Sequence, residues 1–314
     1  MHVVSIFRGI AGAALSLAIV ATAQAQYSGG SGTAEDPYQI ATAADLIALG
    51  ETPDDYDKHF ILTADIDLDP NLPGRKVFDG PVIGVDENNY FTGAFDGNGH
   101  TISNLTITGW LYVGLFGLSD FGAKISNLGL EEVEINGSGP EVGSLVGRNE
   151  GAVINCYSTG AVSGEGDVGG LVGENRGTIV TSYSAAAVSG VDNVGGLVGL
   201  NYGGRVSQCY SSGVVVGGSC VGGLVGVENP WPGRGTIIDS YSTAAVSATT
   251  GNAGGLVGVG CGYGTVIRCY SAGPVTAPLG AGGLAGGSEN GDVADVFWDI
   301  ESSGQTTSAG GTPS

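Results

Sequence analysis

One short phrase recurs through most of this chain and sets its architecture. VGSLVG (142–147) returns as VGGLVG at 168–173, 194–199 and 221–226, as AGGLVG at 253–258 and as AGGLAG at 281–286. A degenerate copy, VGLFG, stands at 113–117. The repeated Leu falls at 115, 145, 171, 197, 224, 256 and 284, at intervals of 30, 26, 26, 27, 32 and 28 residues. A repeat of this length is one supersecondary unit that buries its apolar face only by stacking on its neighbours.

A second landmark keeps step: NCYS (155–158), TSYS (181–184), QCYS (208–211), DSYS (239–242), RCYS (268–271) and finally VFWD (296–299), with Trp298 read into the Tyr slot. A third is the Val that follows, at 162, 188, 215 or its neighbour 216, 246 and 275. Three short strand-like runs per unit, separated by Gly corners, predict an all-β fold without helical periodicity in the repeats. A propeller blade needs about 40–45 residues, and leucine-rich repeats need an L-x-x-L-x-L frame that is missing. The expected fold is a parallel β-helix, right-handed by the crossover rule, with successive turns about 4.8 Å apart. Gly supplies 60 of 314 residues, and the doublets such as Gly169-Gly170 and Gly195-Gly196 read as corners or close-packing points. The phosphate loop G-x-x-x-x-G-K-[ST] is absent.

Stacking turns equal slots into ladders. Asn149, Asn175 and Asn201 lie four past the repeated Leu and are expected to share amide hydrogen bonds along the axis. The slot before Tyr holds Cys156, Ser182, Cys209, Ser240 and Cys269, small residues suited to a tight inward position. Cysteines two turns apart are too distant for a disulfide, so these three are expected to be free buried thiols. Cys220 and Cys261 occupy other slots and suggest no pairing. Val153, Ile179, Val206, Ile237 and Val266 stand four before the Tyr, and both this position and the Cys/Ser slot want to face inward. A straight strand forbids that, so a bend or bulge is expected at the polar residue before the Cys/Ser slot (Asn155, Thr181, Gln208, Asp239, Arg268). The Tyr slot then faces out. Tyr157, Tyr183, Tyr210, Tyr241, Tyr270 and Trp298 form a candidate ligand-contact ladder on which sugar rings would stack. The alternative is that the tyrosines stack on one another and stabilise the sheet face.

These units, with their core Gly170-Leu171-Val172-Gly173, resemble the GLUG-motif family over about residues 110–300. The upstream runs GGSGTAEDPYQIATAADLIALG (29–50), FILTADIDLD (60–69) and FTGAFDGNGHTISNLTI (91–107) are similar to those of many exported bacterial members. The resemblance implies a secreted or surface solenoid and no settled activity. GLUG repeats also occur as accessory regions of some IgA-cleaving metallopeptidases, but the zinc motif H-E-x-x-H is missing here. Members often continue beyond the equivalent of SGQTTSAGG (303–311), so an anchoring or sorting tail is expected to be absent.

The remaining divisions follow from composition. Arg8, the apolar run 9–21 and Ala23-Gln24-Ala25 read as a signal peptide over residues 1–25, too short in its apolar part to span a bilayer. Residues 26–41 are a Gly/Ser linker and the start of a cap. Residues 42–109 hold the cap and first coils, with a short helix at 42–49 N-capped by Thr42. Residues 110–301 are the repeats, with Phe297, Trp298 and Ile300 near the closing end, and 302–314 are a flexible tail. An exported protein in the extracellular space, periplasm or cell surface is expected.

Ten Lys and Arg against 31 Asp and Glu give a net charge of −21, which excludes nucleic acid and anionic membranes as general partners and gives no sign of membrane insertion. Asp65-x-Asp67-x-Asp69 invites Ca2+, yet Pro70 and Lys76 replace the Gly and Glu that such a loop requires. Ile66 and Leu68 instead suggest a strand with aspartates outward, and no cofactor or metal site is assigned. His59 and His100 lie apart from any metal-ligand spacing, and Asp96-Gly97-Asn98-Gly99-His100 reads as a turn. Neither a cationic base with clustered aspartates nor a carboxylate pair emerges for polysaccharide cleavage. The sequence therefore reads as a non-enzymatic binding or adhesion module for an extracellular polysaccharide or cell-surface component. A polysaccharide lyase or hydrolase and a purely structural envelope spacer are the competing classes.

Overall fold

The computed structural model describes residues 26–229, 235–260, 264–287 and 292–313. The expected signal peptide and Cys261 lie outside them. The chain winds as a parallel β-solenoid whose strands pair only with the coils before and after. One coil shows the pattern. Ala152–Ile154 forms the first wall, Tyr157–Ser163 the second, Gly166–Gly169 the third and Val172–Asn175 the fourth. These walls are parallel sheets of ten, fifteen, six and six strands among the described residues. Register is kept side chain on side chain: Val153 on Ile179 on Val206 on Ile237 on Val266, and Val142 on Val168 on Val194 on Val221 on Ala253.

Four walls replace the three expected runs, because the VGGLVG phrase is not one strand. It is a strand end, a corner and a new strand: one strand stops at Gly169 and the next begins at Val172. Leu171, like every repeated Leu from 115 to 284, points into the core and is fully buried. The corner glycines keep an ordinary negative φ. A Cβ on Gly170 would sit far inside 3.0 Å of the Gly196 carbonyl and the Ser184 hydroxyl, so close approach is what demands glycine there.

The other corner is made by non-glycine residues. Asn155, Thr181, Gln208, Asp239, Arg268 and Asp295 all adopt left-handed φ, between 52° and 56°. This single left-handed residue is the bend the hydrophobic pattern required. It lets the Val/Ile position and the Cys/Ser position both face inward, where Val153, Cys156, Ile179 and Ser182 are at most 1% exposed. Holding L-residues in this region costs free energy at each coil, and short polar side chains there hydrogen-bond to their neighbours, as Asn155 Nδ2 does to Asn127 Oδ1 at 2.8 Å.

The inward Ser and Asn side chains of the repeats are hydrogen-bonded. The Ser158 hydroxyl donates across the interior to the Gly170 carbonyl at 2.7 Å, and Ser211 and Ser271 repeat this with Gly223 and Gly283. That bond accounts for the Ser of the C-Y-S phrases; in the S-Y-S phrases Ser184 and Ser242 accept the amides of Ala186 and Ala244 instead. The Cys156 and Cys209 amides donate to the hydroxyls of Ser182 and Ser240 at 3.1 Å. Burial pushes the thiols of Cys156 and Cys209 up to about 12 and that of Cys269 up to about 11, so all three stay protonated and inert near neutrality. Asn149 Nδ2 donates to Asn175 Oδ1 and Asn175 Nδ2 to Asn201 Oδ1, both at 2.8 Å, in full burial. Ser119 and Glu228 extend the ladder at either end.

Both ends are capped, and three expectations change. Residues 26–36 are not a linker. Tyr27 is buried against Tyr38 and Phe60, and Gly29 bridges Gln39. Helix α1 (Ala43–Gly50) starts at Thr42 in a capping box with Asp45 and buries Leu46 and Leu49. At the far end, residues 302–313 fold back instead of hanging free. Ser308 Oγ accepts the amide hydrogens of Leu284 and Ala285, and Thr312–Pro313 pairs with Phe297–Trp298. The last coil exposes unpaired amides, and the polar tail satisfies them.

The third change concerns Trp298. Phe297, not Trp298, pairs with Tyr270, and Trp298 pairs with Ser271. Asp295 takes the left-handed slot and Val296 the Cys/Ser slot, so Trp298 points inward at 3% exposure and closes the core over Gly283. Its indole Nε1 donates to the Gln305 carbonyl at 3.0 Å, which anchors the returning tail. Trp298 is a plug and leaves the proposed outward ladder.

Candidate functional site

The candidate contact ladder stands on the second wall, where Tyr157, Tyr183, Tyr210, Tyr241 and Tyr270 pair in strict register. Ring centroids are 4.9, 4.6, 5.0 and 4.9 Å apart, and ring planes diverge by only 2–6°. Each inner ring therefore has both faces against another tyrosine. Below Tyr157 lies Gly129, where a Cβ would strike the ring. A sugar needs a free ring face, and this arrangement offers edges and hydroxyls. Tyr157 Oη donates to Glu131 Oε1 at 2.7 Å, and burial, reinforced by that carboxylate, pushes its phenol up. Burial also raises Tyr210 and Tyr270. The geometry is that of a sheet-stabilising stack.

Beside the stack the same wall holds a shallow trough of about 580 Å³. Ala161 and Ala187 form its floor, Val214 and Val216 one end, and Glu132 and Glu134 its acidic edge. Register explains it, since Ala161 and Ala187 are small between larger residues in the same column.

A buried ionic cluster flanks the third and fourth walls. Arg148 Nη2 meets Glu141 Oε1 at 2.5 Å, and its Nε lies 3.7 Å from Glu174 Oε2. The guanidinium also covers the Tyr112 ring at 4.8 Å, and Arg176 pairs with the far side of Glu174. Burial pushes Glu141 up to about 7; Arg148 opposes this and Glu174 adds to it. Burial raises Asp167 in the next coil as well. In the unfolded chain Glu141 titrates near 4.5. The stabilisation from its protonated form is thus complete below about 4.5 and lost as pH rises through about 7. Stability is expected to fall by about 1–3 kcal/mol between pH 5 and pH 8. Thermal unfolding across that range checks this, and Glu141→Gln should flatten the slope.

The acidic run near the front does structural work. Asp67 Oδ1 accepts from Asn104 Nδ2 and the Asp69 amide at 2.9 Å, and Asp65 Oδ1 holds the Thr101 amide and His100 Nδ1 at 3.0 Å. Ile66 and Leu68 are buried. Among the described residues no three His, Cys, Asp or Glu side chains converge as a metal site. His100 does occupy a turn, with left-handed Asn98 and Gly99 before it, but its contact with Asp65 was hidden by 35 residues of sequence.

Fold and walls together define a parallel β-solenoid with continuous outer ladders. Two of its repeats, residues 138–163 and 190–216, match the family model for the GLUG motif. Similar segments occur in Halomucin of Haloquadratum walsbyi, 37% identical over 141 residues, and in a candidate Gly-rich membrane protein of Evansella cellulosilytica, 38% identical over 141 residues. These cover 43% and 41% of this chain, and the chain spans only 2% and 15% of those proteins. Among solved structures, a candidate immunoglobulin A1 protease from Bacteroides ovatus superposes with a TM-score of 0.58 at 21% identity, covering 92% of this chain and 85% of that one. That likeness establishes the fold. No helix among the described residues is long and apolar enough to cross a membrane.

Proposed function

We propose that this chain is an exported, non-enzymatic solenoid that serves as a binding or adhesion module at a cell surface, with extracellular carbohydrate as the partner. One observation carries the reading: equal side chains lie in register along walls of up to ten stacked strands, so the molecule offers extended, repetitive faces outward. The interior is filled by Leu, Val, Ile and Phe, and the outer faces carry the chemical variety. Similarity to a mucin-named protein and to a Gly-rich membrane protein supports a surface setting. The net charge of −21 suits a soluble or hydrated envelope component.

The test passes the purified chain over immobilised neutral and acidic polysaccharides and assays the flow-through for cleavage products. Retention without product release is expected; product release would make it an enzyme, and no retention on any polysaccharide would end the carbohydrate reading. Tyr210→Ala and Tyr241→Ala are expected to leave retention unchanged. Each removes two stacked neighbours and should cost about 1–3 kcal/mol of stability.

A further inference from the structure

The first wall carries a feature that sequence distance concealed. Its outward column runs His59, Ala94, Lys124, Ala152, Thr178, Arg205, each residue paired with the next coil's. Lys124 and Arg205 are both exposed and form no ion pair among the described residues. They stand three coils apart, about 14 Å along the axis. Between them Ala152 and Thr178, with Gly151 and Gly177 alongside, floor an open groove of about 460 Å³. Arg176 borders it, held by Glu174 and Glu150 and lying over the Tyr202 ring. Phe121 stands at its edge, 87% exposed.

In a chain carrying ten cations and 31 acids, three cations against one carboxylate, Glu150, around one groove are a local inversion of charge. Among the described residues Lys124 and Phe121 have no side-chain partner, and Arg205 makes no ion pair, its charge reaching only the exposed Asp239. Unpaired cations at the ends of a smooth axial lane fit a linear polyanion, and an open aromatic face fits the C–H surface of a sugar. Three cations are too few for nucleic acid, whose binding rests on many phosphate contacts. We propose that the lane between Lys124 and Arg205 binds an acidic polysaccharide laid along the solenoid axis, its carboxylate or sulfate groups on the two cations and a sugar ring on Phe121. This rests on the reading of the walls as binding surfaces and moves the contact from the tyrosine stack to the opposite chemistry.

The experiment titrates the purified chain with polygalacturonate, chondroitin sulfate, dextran, poly-glutamate and a DNA oligonucleotide at low and high salt. Binding to polygalacturonate or chondroitin sulfate, weakened by salt, is expected. Lys124→Ala combined with Arg205→Ala should reduce it at least about tenfold, since charge-assisted hydrogen bonds are lost at both ends. Arg268→Ala, an exposed cation outside the groove paired with Asp239, should leave it unchanged. Phe121→Ala should weaken the polysaccharides. Unchanged binding in the double variant overturns the site while the surface-binding reading stands. Preference for dextran overturns the anionic ligand alone, and equal or tighter binding of poly-glutamate or DNA overturns the carbohydrate assignment. Binding to none of the five removes the proposal together with the reading beneath it. All three side chains are exposed, so unchanged melting temperatures are expected to accompany every loss.

Discussion

Asn175→Ala is expected to lower stability by about 2–5 kcal/mol, as much as truncating a buried apolar side chain of the core. Asn175 is fully buried, takes a hydrogen bond from Asn149 and gives one to Asn201, each at 2.8 Å. Truncation leaves a donor below and an acceptor above without this partner, in a place water does not reach. Each such group costs about 1–3 kcal/mol, and the lost volume adds to it. The informative comparison is Asn155→Ala. Asn155 makes the same stacked amide contact, with Asn127 at 2.8 Å, but on the exposed corner. Water replaces that bond, and the left-handed backbone is the larger part of the cost, so the loss should stay near 1 kcal/mol. Chemical denaturation of the two variants decides whether burial, not stacking as such, gives the ladder its value.

Gly196→Ala should cost about 3 kcal/mol through packing alone. Gly196 has ordinary φ, so no backbone strain enters. Its added methyl would fall far inside 3.0 Å of the Gly223 carbonyl oxygen in the next coil. That carbonyl also accepts the Ser211 hydroxyl and belongs to a coil fixed by sheet pairing on both sides, so it cannot retreat cheaply. Gly166→Ala is the counterpart on the third wall. Its nearest new neighbour is the Pro140 side chain at 4.0 Å. Alanine fits there, and reduced freedom of the unfolded chain should make the change neutral or stabilising by about 0.4–1 kcal/mol. Opposite signs from two glycines of adjacent coils would separate close approach from mere glycine content.

Those glycines show what the sequence could and could not convey. Spacing between equal phrases carried the stacking, the inward Leu, Val and Cys/Ser slots, and the need for a bend before Cys156, because apolar periodicity records which way a side chain points. It could not say that the bend is a left-handed Asn155 and not a bulge, since both solve the same inversion. Trp298 falls in the Tyr slot only when aromatic size is matched instead of slot order. Val293, Asp295 and Val296 repeat Val153, Asn155 and Cys156, and that frame puts Phe297 in the Tyr slot. The Ser/Thr/Gly composition of 302–313 looked free because its partners, the amides of Leu284 and Ala285, exist only at the end of a stack. Lys124 with Arg205, and Glu141 with Glu174, are brought together by register across 81 and 33 residues, a distance no local motif can span.

Register is therefore the claim to test, and cysteine cross-linking reads it directly. Ser163, Ser189 and Val216 occupy one outward column in three successive coils. Adjacent coils place paired Cα atoms about 4.8 Å apart, within disulfide reach, and alternate coils about twice that, beyond it. Cys156, Cys209 and Cys269 are buried and protonated, which keeps them out of the reaction, and Cys220, which is half-buried, and Cys261 are first replaced by Ser. Under mild oxidation the pairs Ser163→Cys/Ser189→Cys and Ser189→Cys/Val216→Cys should cross-link, and Ser163→Cys/Val216→Cys should not, by peptide mapping without reductant. Cross-linking of the alternate pair as readily as the adjacent ones, or of neither adjacent pair, would contradict the in-register solenoid and everything built on its walls.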